Sequence, residues 1–142
     1  MTIQVPSIIL PTVWRTGLEM EWINDLVTHV SIEFSTEHLI EKQVRVMAYV
    51  SGGVPGNLLA WIELSPVLST TSPLYWAAIG GGGGLLPAVA PTVIVLTGAV
   101  HSFMLPWNIH APYARLVIQS PVNPGLPAMF WIVQAIVDGQ SL

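Results

Sequence analysis

The chain of 142 residues contains no cysteine. Disulfides, thiolate nucleophiles and cysteine-ligated zinc are therefore excluded. Small secreted domains often depend on disulfides, so the absence of cysteine favours assembly in a reducing cytoplasm. The first residues, Met-Thr-Ile-Gln-Val-Pro, lack a basic segment followed by an apolar run, and they predict no signal peptide.

Charged residues are scarce as well. Only 8% of the residues are charged, against about 25% in ordinary soluble domains. Residues 64–114 contain no Asp, Glu, Lys or Arg, and the whole chain has four basic and eight acidic residues. Binding of a phosphate backbone requires clustered Lys and Arg, so we expect no nucleic-acid partner.

The long uncharged stretch does not predict a membrane helix. A spanning helix needs about 20 consecutive apolar residues. The most apolar window, residues 76–100, is interrupted by Pro87, Pro91 and the five glycines at 80–84, and its centre at 92–97 is largely β-branched. These breakers favour strands over a helix, and we expect no membrane partner.

Short apolar segments separated by Gly and Pro recur along the chain, and most of them alternate in polarity as strands do. They predict an all-β fold, an antiparallel β-sandwich that is jelly-roll-like and has about eight strands. The predicted strands are residues 28–35, 43–51, 57–64, 75–79, 92–97, 100–105, 113–120 and 129–138.

The first 27 residues differ from the rest and divide the chain into two regions. We expect residues 1–27 to form an extended N-terminal arm with an irregular connection, and residues 28–142 to form the sandwich. Pro6 and Pro11 spoil a central strand but suit an edge or a clasp on another subunit. The apolar residues of this arm are Ile3, Val5, Ile8 and Leu10.

Several predicted strands are apolar on both faces. Leu59 and Trp61 occupy the second face of residues 57–64, and residues 129–138 carry apolar side chains on both sides. Bare apolar faces of this size are rare in monomers, and Trp is enriched at interfaces. We therefore predict a homo-oligomer, with a trimer favoured; the alternative is that these strands are central and the tryptophans are core. The interface candidates are Ile3, Val5, Ile8, Leu10, Trp61, Trp107, Arg115 and Trp131.

Arg115 ends the uncharged stretch, on a strand with Tyr113, Val117 and Gln119. A lone Arg among apolar residues needs a carboxylate or a set of carbonyls. Glu63 or Asp138 could supply the carboxylate, within one subunit or between two. The alternative is an edge residue that reaches solvent.

No sequence motif predicts chemistry. The glycines at 80–84 are followed by Leu-Leu-Pro rather than by the Lys-Ser/Thr of a phosphate-binding loop, so we expect a flexible loop. The four histidines lack the spacing of zinc ligands, and no Gly-x-Ser-x-Gly motif occurs. We expect no catalytic residues, no cofactor and no bound metal.

Residues 105–122 and 130–139 contain a Tyr-Ala-Arg strand, a Ser-Pro turn and a Trp-bearing final strand before a glycine. In this respect the chain resembles small β-sandwich virion structural proteins of tailed bacteriophages. The resemblance implies a non-enzymatic capsid decoration (auxiliary head) protein that clamps the capsid surface as a trimer. The implied partner is a major capsid protein or another virion component, and the implied location is the virion, assembled in the host cytoplasm.

Two other functions remain open at this point. One is a carbohydrate-binding β-sandwich module, in which exposed Trp61, Trp76, Trp107 or Trp131 would stack on sugars. The other is a pilus or surface-layer subunit joined to its neighbours by strand addition.

Overall fold

The structure of the chain is a computed structural model. It describes residues 2–3, 7–10, 21–23, 28–37, 39–51, 56–68, 75–84, 86–96, 100–119 and 130–141. In chain order the strands are β1 (Thr2–Ile3), β2 (Ser7–Leu10), β3 (Glu21–Ile23), β4 (Thr28–Val30), β5 (Phe34–Ser35), β6 (Leu39–Ser51), β7 (Gly56–Ser65), β8 (Ala77–Ala78), β9 (Gly82–Gly83), β10 (Leu86–Ala88), β11 (Thr92–Leu96), β12 (Val100–Trp107), β13 (Tyr113–Gln119) and β14 (Phe130–Ser141).

The strands form two antiparallel sheets and a small hairpin. In the first sheet β14 lies between β6 and the short strands β1, β2 and β3, and β12 forms the far edge beside β6. In the second sheet the order is β11, β7, β13, β4, with β5 also paired to β13 and β8 paired to β7. The hairpin consists of β9 and β10.

The winding of the chain is that of a jelly roll. With β1–β3 counted as the first strand and β4–β5 as the second, the longer strands β6, β7, β11, β12, β13 and β14 are the third to the eighth. The first then pairs with the eighth, the second with the seventh, the third with the sixth and the fourth with the fifth. This nested pairing defines the fold, and the predicted antiparallel jelly-roll sandwich is confirmed.

The main core lies between the two sheets and is built from alternate residues of four strands. It contains Val44, Val46, Leu58, Ala60, Ile62, Leu105, Trp107, Ala114, Leu116 and Ile118. Because side chains alternate across a strand, the residues between these positions point to the outer faces. Burying each large aliphatic side chain contributes about 1.5–3 kcal/mol before entropy costs.

The predicted strand at 28–35 is divided into β4 and β5 by Ser31. The hydroxyl of Ser31 accepts a hydrogen bond from the Leu116 N–H at 2.9 Å, and the Ser31 N–H donates to the Leu116 carbonyl at 2.9 Å. A side chain thus takes the place of a backbone carbonyl in the ladder, so regular pairing stops there and resumes at β5.

The N-terminal region differs from the expected free arm. β1, β2 and β3 pair antiparallel with β14 of the same chain and form an edge of the first sheet. An edge position tolerates prolines, because one side of an edge strand needs no ladder hydrogen bonds. Contact of residues 1–13 with another subunit stays a prediction.

Candidate functional site

A buried carboxylate, that of Glu63, lies on the outer face of the second sheet. Glu63 on β7 stands directly opposite Arg115 on β13, and Glu63 also pairs with Ala78 on β8. Trp61 lies two residues before Glu63 on the same strand and therefore shares its face. We call Trp61, Glu63, Trp76, Gly84 and Arg115 the Glu63 network.

Both oxygens of the Glu63 carboxylate are used. Oε1 accepts from Arg115 Nε at 2.8 Å and lies 2.7 Å from Arg115 Nη2. Oε2 accepts from the indole Nε1–H of Trp61 at 2.9 Å and from the backbone N–H of Gly84 at 3.1 Å. Glu63 is only 1% exposed, and a buried charge requires this degree of pairing. The carboxylate is saturated by its own chain, which suits a structural role better than proton transfer.

Arg115 is held by a ring as well as by the carboxylate. Its guanidinium lies over the ring of Trp76, 4.4 Å from the centroid, a cation–π contact of about 0.5–2 kcal/mol. Its Nη1 lies 4.0 Å from Oε1 of Glu33. Trp76 is 2% exposed, and its indole N–H has no hydrogen-bond partner among the described residues.

The glycines at 80–84 bring the backbone against Glu63. All five have positive φ, a conformation that other residues rarely adopt. A Cβ at Gly82 would collide with the Pro87 carbonyl, and a Cβ at Gly83 would collide with the Ala78 nitrogen and lie 2.9 Å from Glu63 Oε2. The segment expected to be a flexible loop is therefore part of the site, paired through β9 and β10 and fixed by the Gly84 N–H.

This segment covers part of the outer face that had been predicted to need another subunit. Trp61 forms a second buried cluster with Ala78, Ala88 and Val117, and Leu59 packs against it. Residues 75–91 supply two members of that cluster, so the apolar outer face of β7 is covered by the same chain. The correction follows from a tertiary contact that strand alternation alone does not reveal.

A groove of about 370 Å³ lies beside the Glu63 network. Its walls include Val30, Trp61, Leu86, Arg115, Val117 and Gln119. The charge of Arg115 is balanced by Glu63, and Leu86 and Val30 are exposed at the walls. The groove therefore suits an uncharged group better than an anion.

The structure places the eight predicted interface residues in different environments. Trp61 and Trp107 are 6% and 7% exposed and are covered by their own chain. Trp107 lies against Phe34, with ring centroids 6.2 Å apart. Arg115 is in the Glu63 network. The strands that carry Ile3, Ile8 and Leu10 pair with β14, and Trp131 lies on β14 itself. The side chains of these four residues, and the whole of Val5, lie outside the described residues.

The proposed partnership of Arg115 with Glu63 is confirmed, and it lies within one chain. Asp138 belongs to β14, and its side chain lies outside the described residues. Sequence reasoning missed the contributions of Trp76, Gly84 and Glu33. The available signal was the need of a buried carboxylate for several donors at once.

Within the described ranges, no group of three or more His, Asp or Glu residues could hold a metal ion. The same ranges contain no helix that is both long and apolar enough to cross a membrane. His110 is exposed, whereas His38 and the side chain of His101 lie outside the described residues.

No family model matches the chain, and no curated protein matches it either. The resemblance to virion proteins of tailed phages therefore depends on the quoted residues alone.

Proposed function

We propose that the chain is a non-enzymatic structural subunit of a virus particle, a capsid decoration or stabilising protein that acts as a homo-oligomer. A trimer is the favoured form, and the partner is a major capsid protein or another virion component. The protein would join the virion during assembly in the host cytoplasm.

The observation that carries the proposal is the exposure of large apolar side chains on a nearly uncharged jelly roll. Among the described residues, nine such side chains are more than a third exposed: Val30, Ile32, Leu68, Tyr75, Leu86, Val89, Val93, Met104 and Ile109. Leu86 and Val89 lie three residues apart on the β9–β10 hairpin and its exit, and they are 68% and 75% exposed. Exposed large apolar side chains near one another are typical of a protein–protein contact.

Jelly rolls occur in viral capsid proteins, in lectins and in cupins, so the fold alone does not choose among these functions. Three of the four tryptophans proposed as sugar platforms weigh against sugar binding. Trp61, Trp76 and Trp107 are at most 7% exposed, and a stacking platform needs an open ring face. The saturated carboxylate of Glu63 weighs in the same way against acid–base catalysis.

The proposal is tested on particles from a culture that produces the protein. The particles are banded by density-gradient centrifugation and probed with antibodies against the chain. We expect the chain to band with the particles and gold-labelled antibodies to decorate the particle surface. Recovery of the chain only at the top of the gradient, apart from the particles, would contradict the proposal.

A further inference from the structure

The free edge of the first sheet is formed by β12. This strand pairs with β6 from Val100 opposite Tyr49 to Trp107 opposite Lys42, and no other described strand pairs with it. Val100–Trp107 contains no Asp, Glu, Lys or Arg. Natural proteins usually protect edges of this length with charges, bulges or a covering segment.

Pro106 shows which backbone groups face the free edge. Proline has no N–H and occurs in edge strands with its nitrogen directed away from the ladder. Backbone groups alternate along a strand, so Val100, Ser102 and Met104 also direct their N–H and C=O groups outward. The residues between them make the ladder with β6.

The side chains on this edge are uncovered as well. Ser102 and Pro106 are exposed, and Met104 is 56% exposed, whereas Leu105 and Trp107 point into the core. Among the described residues, the centre of the edge thus presents backbone donors and acceptors that no second strand pairs with, beside an apolar side chain. Pro106 protects only one end of it.

A second copy of this chain fits the edge better than other partners do. An antiparallel strand is complementary to itself across a two-fold axis, because residue i meets j where j meets i. The absence of charge in β12 means that no like charges meet when the strand faces its own copy. We propose that the β12 edges of two copies pair antiparallel and join their first sheets into one continuous sheet. The inference depends on the proposed homo-oligomer only in requiring that copies associate.

Introduced cysteines test this pairing directly, because the natural chain has none and every disulfide must join two chains. Ser102→Cys and Met104→Cys place thiols on the edge, and Glu37→Cys and Ala77→Cys are exposed controls outside β12. If the axis passes through residue 102 or 104, that single variant forms disulfide-linked dimers under mild oxidation. If it passes through residue 103, Ser102 faces Met104 of the second copy, and a mixture of the two variants cross-links.

We expect at least one of these three samples to cross-link and both controls to stay monomeric on a non-reducing gel. Equal cross-linking at the controls, or none in all three edge samples, would overturn the inference.

Met104→Lys provides a second test, since an edge lysine opposes strand addition. We expect it to halve the assembled mass while the circular dichroism stays that of the folded sandwich. Ala77→Lys, the matched control at an exposed position outside β12, should keep the wild-type mass. An unchanged mass for Met104→Lys would contradict the pairing.

The wild-type mass separates this inference from the proposed trimer. A two-fold contact requires an even number of copies, so a dimer supports it and contradicts the trimer, whereas a hexamer supports both. A simple trimer contradicts the β12 pairing and leaves the proposed function standing. A monomer contradicts both.

Discussion

Two apolar surfaces of the sandwich differ in what covers them. On the outer face of the second sheet, Trp61 and Val117 are covered by residues 75–91 of their own chain. At the edge of the first sheet, Met104 remains exposed and β12 pairs with no described strand other than β6. One apolar surface is covered within the chain, and we propose that a second copy covers the other.

The difference lies in the polar contacts. The covering segment is fixed because Glu63 accepts from Gly84 and from Trp61, so its position is specified by directed hydrogen bonds. The edge of β12 offers only the regular repeat of backbone groups, which any extended strand in register can satisfy. The polar residues therefore fix the covering segment on the single chain, and we propose that the uncharged β12 edge pairs with a second copy.

Removing the Glu63 carboxylate should destabilise the covered surface and give the largest loss of unfolding free energy among the variants considered. Glu63→Ala removes the carboxylate that pairs with the largely buried Arg115 side chain, which costs about 3–5 kcal/mol of unfolding free energy. Urea denaturation measures the loss. Glu37→Ala, at an exposed position of a turn, is the control and should change stability by less than about 0.5 kcal/mol.

Adding Arg115→Leu to Glu63→Leu should recover much of the lost stability, because no unpaired charge then remains. If Glu63→Ala costs no more than Glu37→Ala, the ion pair does not hold the surface together.

Substitutions in the glycine segment, residues 80–84, test the covered surface with a smaller expected loss of stability. Gly83→Ala forces a Cβ against the Ala78 nitrogen at a position where φ is +84°, and we expect a loss of about 2–3 kcal/mol. Gly80→Ala is the matched control: its φ is +91°, but the added Cβ meets only Ala90 Cβ at 3.6 Å. That variant should lose about 1 kcal/mol, the cost of the backbone conformation alone.

Thermal denaturation of the two glycine variants gives the comparison. Equal losses would mean that the close approach of Gly83 to Ala78 and Glu63 contributes nothing.

The smallest expected effect concerns Lys42, the only lysine of the chain. Lys42 lies on β6, 5% exposed, and burial lowers its pKa below the ordinary value of 10.5. At neutral pH the folded state therefore bears the cost of a buried ammonium, and Lys42→Met should stabilise the fold by about 0.5 kcal/mol.

The sign of the pH dependence follows from the same shift. As the pH rises from the folded pKa to 10.5, the folded chain loses its proton before the unfolded chain does, so the wild type gains stability relative to the variant. The advantage of Lys42→Met should shrink over that range in urea titrations. A constant advantage up to pH 11 would assign it to packing rather than to charge.

Much of the fold follows from local sequence rules. Strand alternation and Gly/Pro punctuation predicted 57–64, 92–97 and 113–120, and β7, β11 and β13 match these segments to within about a residue at each end. Glu63 was one of two carboxylates predicted for Arg115, because a lone Arg among apolar residues needs a carboxylate or a set of carbonyls, and a solvent-exposed edge residue was the alternative.

The rest depends on contacts between distant parts of the chain. Gly84 reaches Glu63 across 21 residues, and the turn that brings it there uses consecutive positive φ angles that a run of glycines permits but does not specify. The pairing of β1–β3 with β14 joins the two ends of the chain. Alternation shows that a face is apolar, but it does not show what covers that face.

Sedimentation equilibrium of the wild-type protein at micromolar concentration tests the central claim most directly. The chain has a mass of 15.3 kDa. If its uncovered apolar surfaces exist to meet other copies, the measured mass is an integral multiple of that value, at least two-fold. A stable mass of 15.3 kDa across the concentration range, with the circular dichroism of the folded sandwich, would contradict the account.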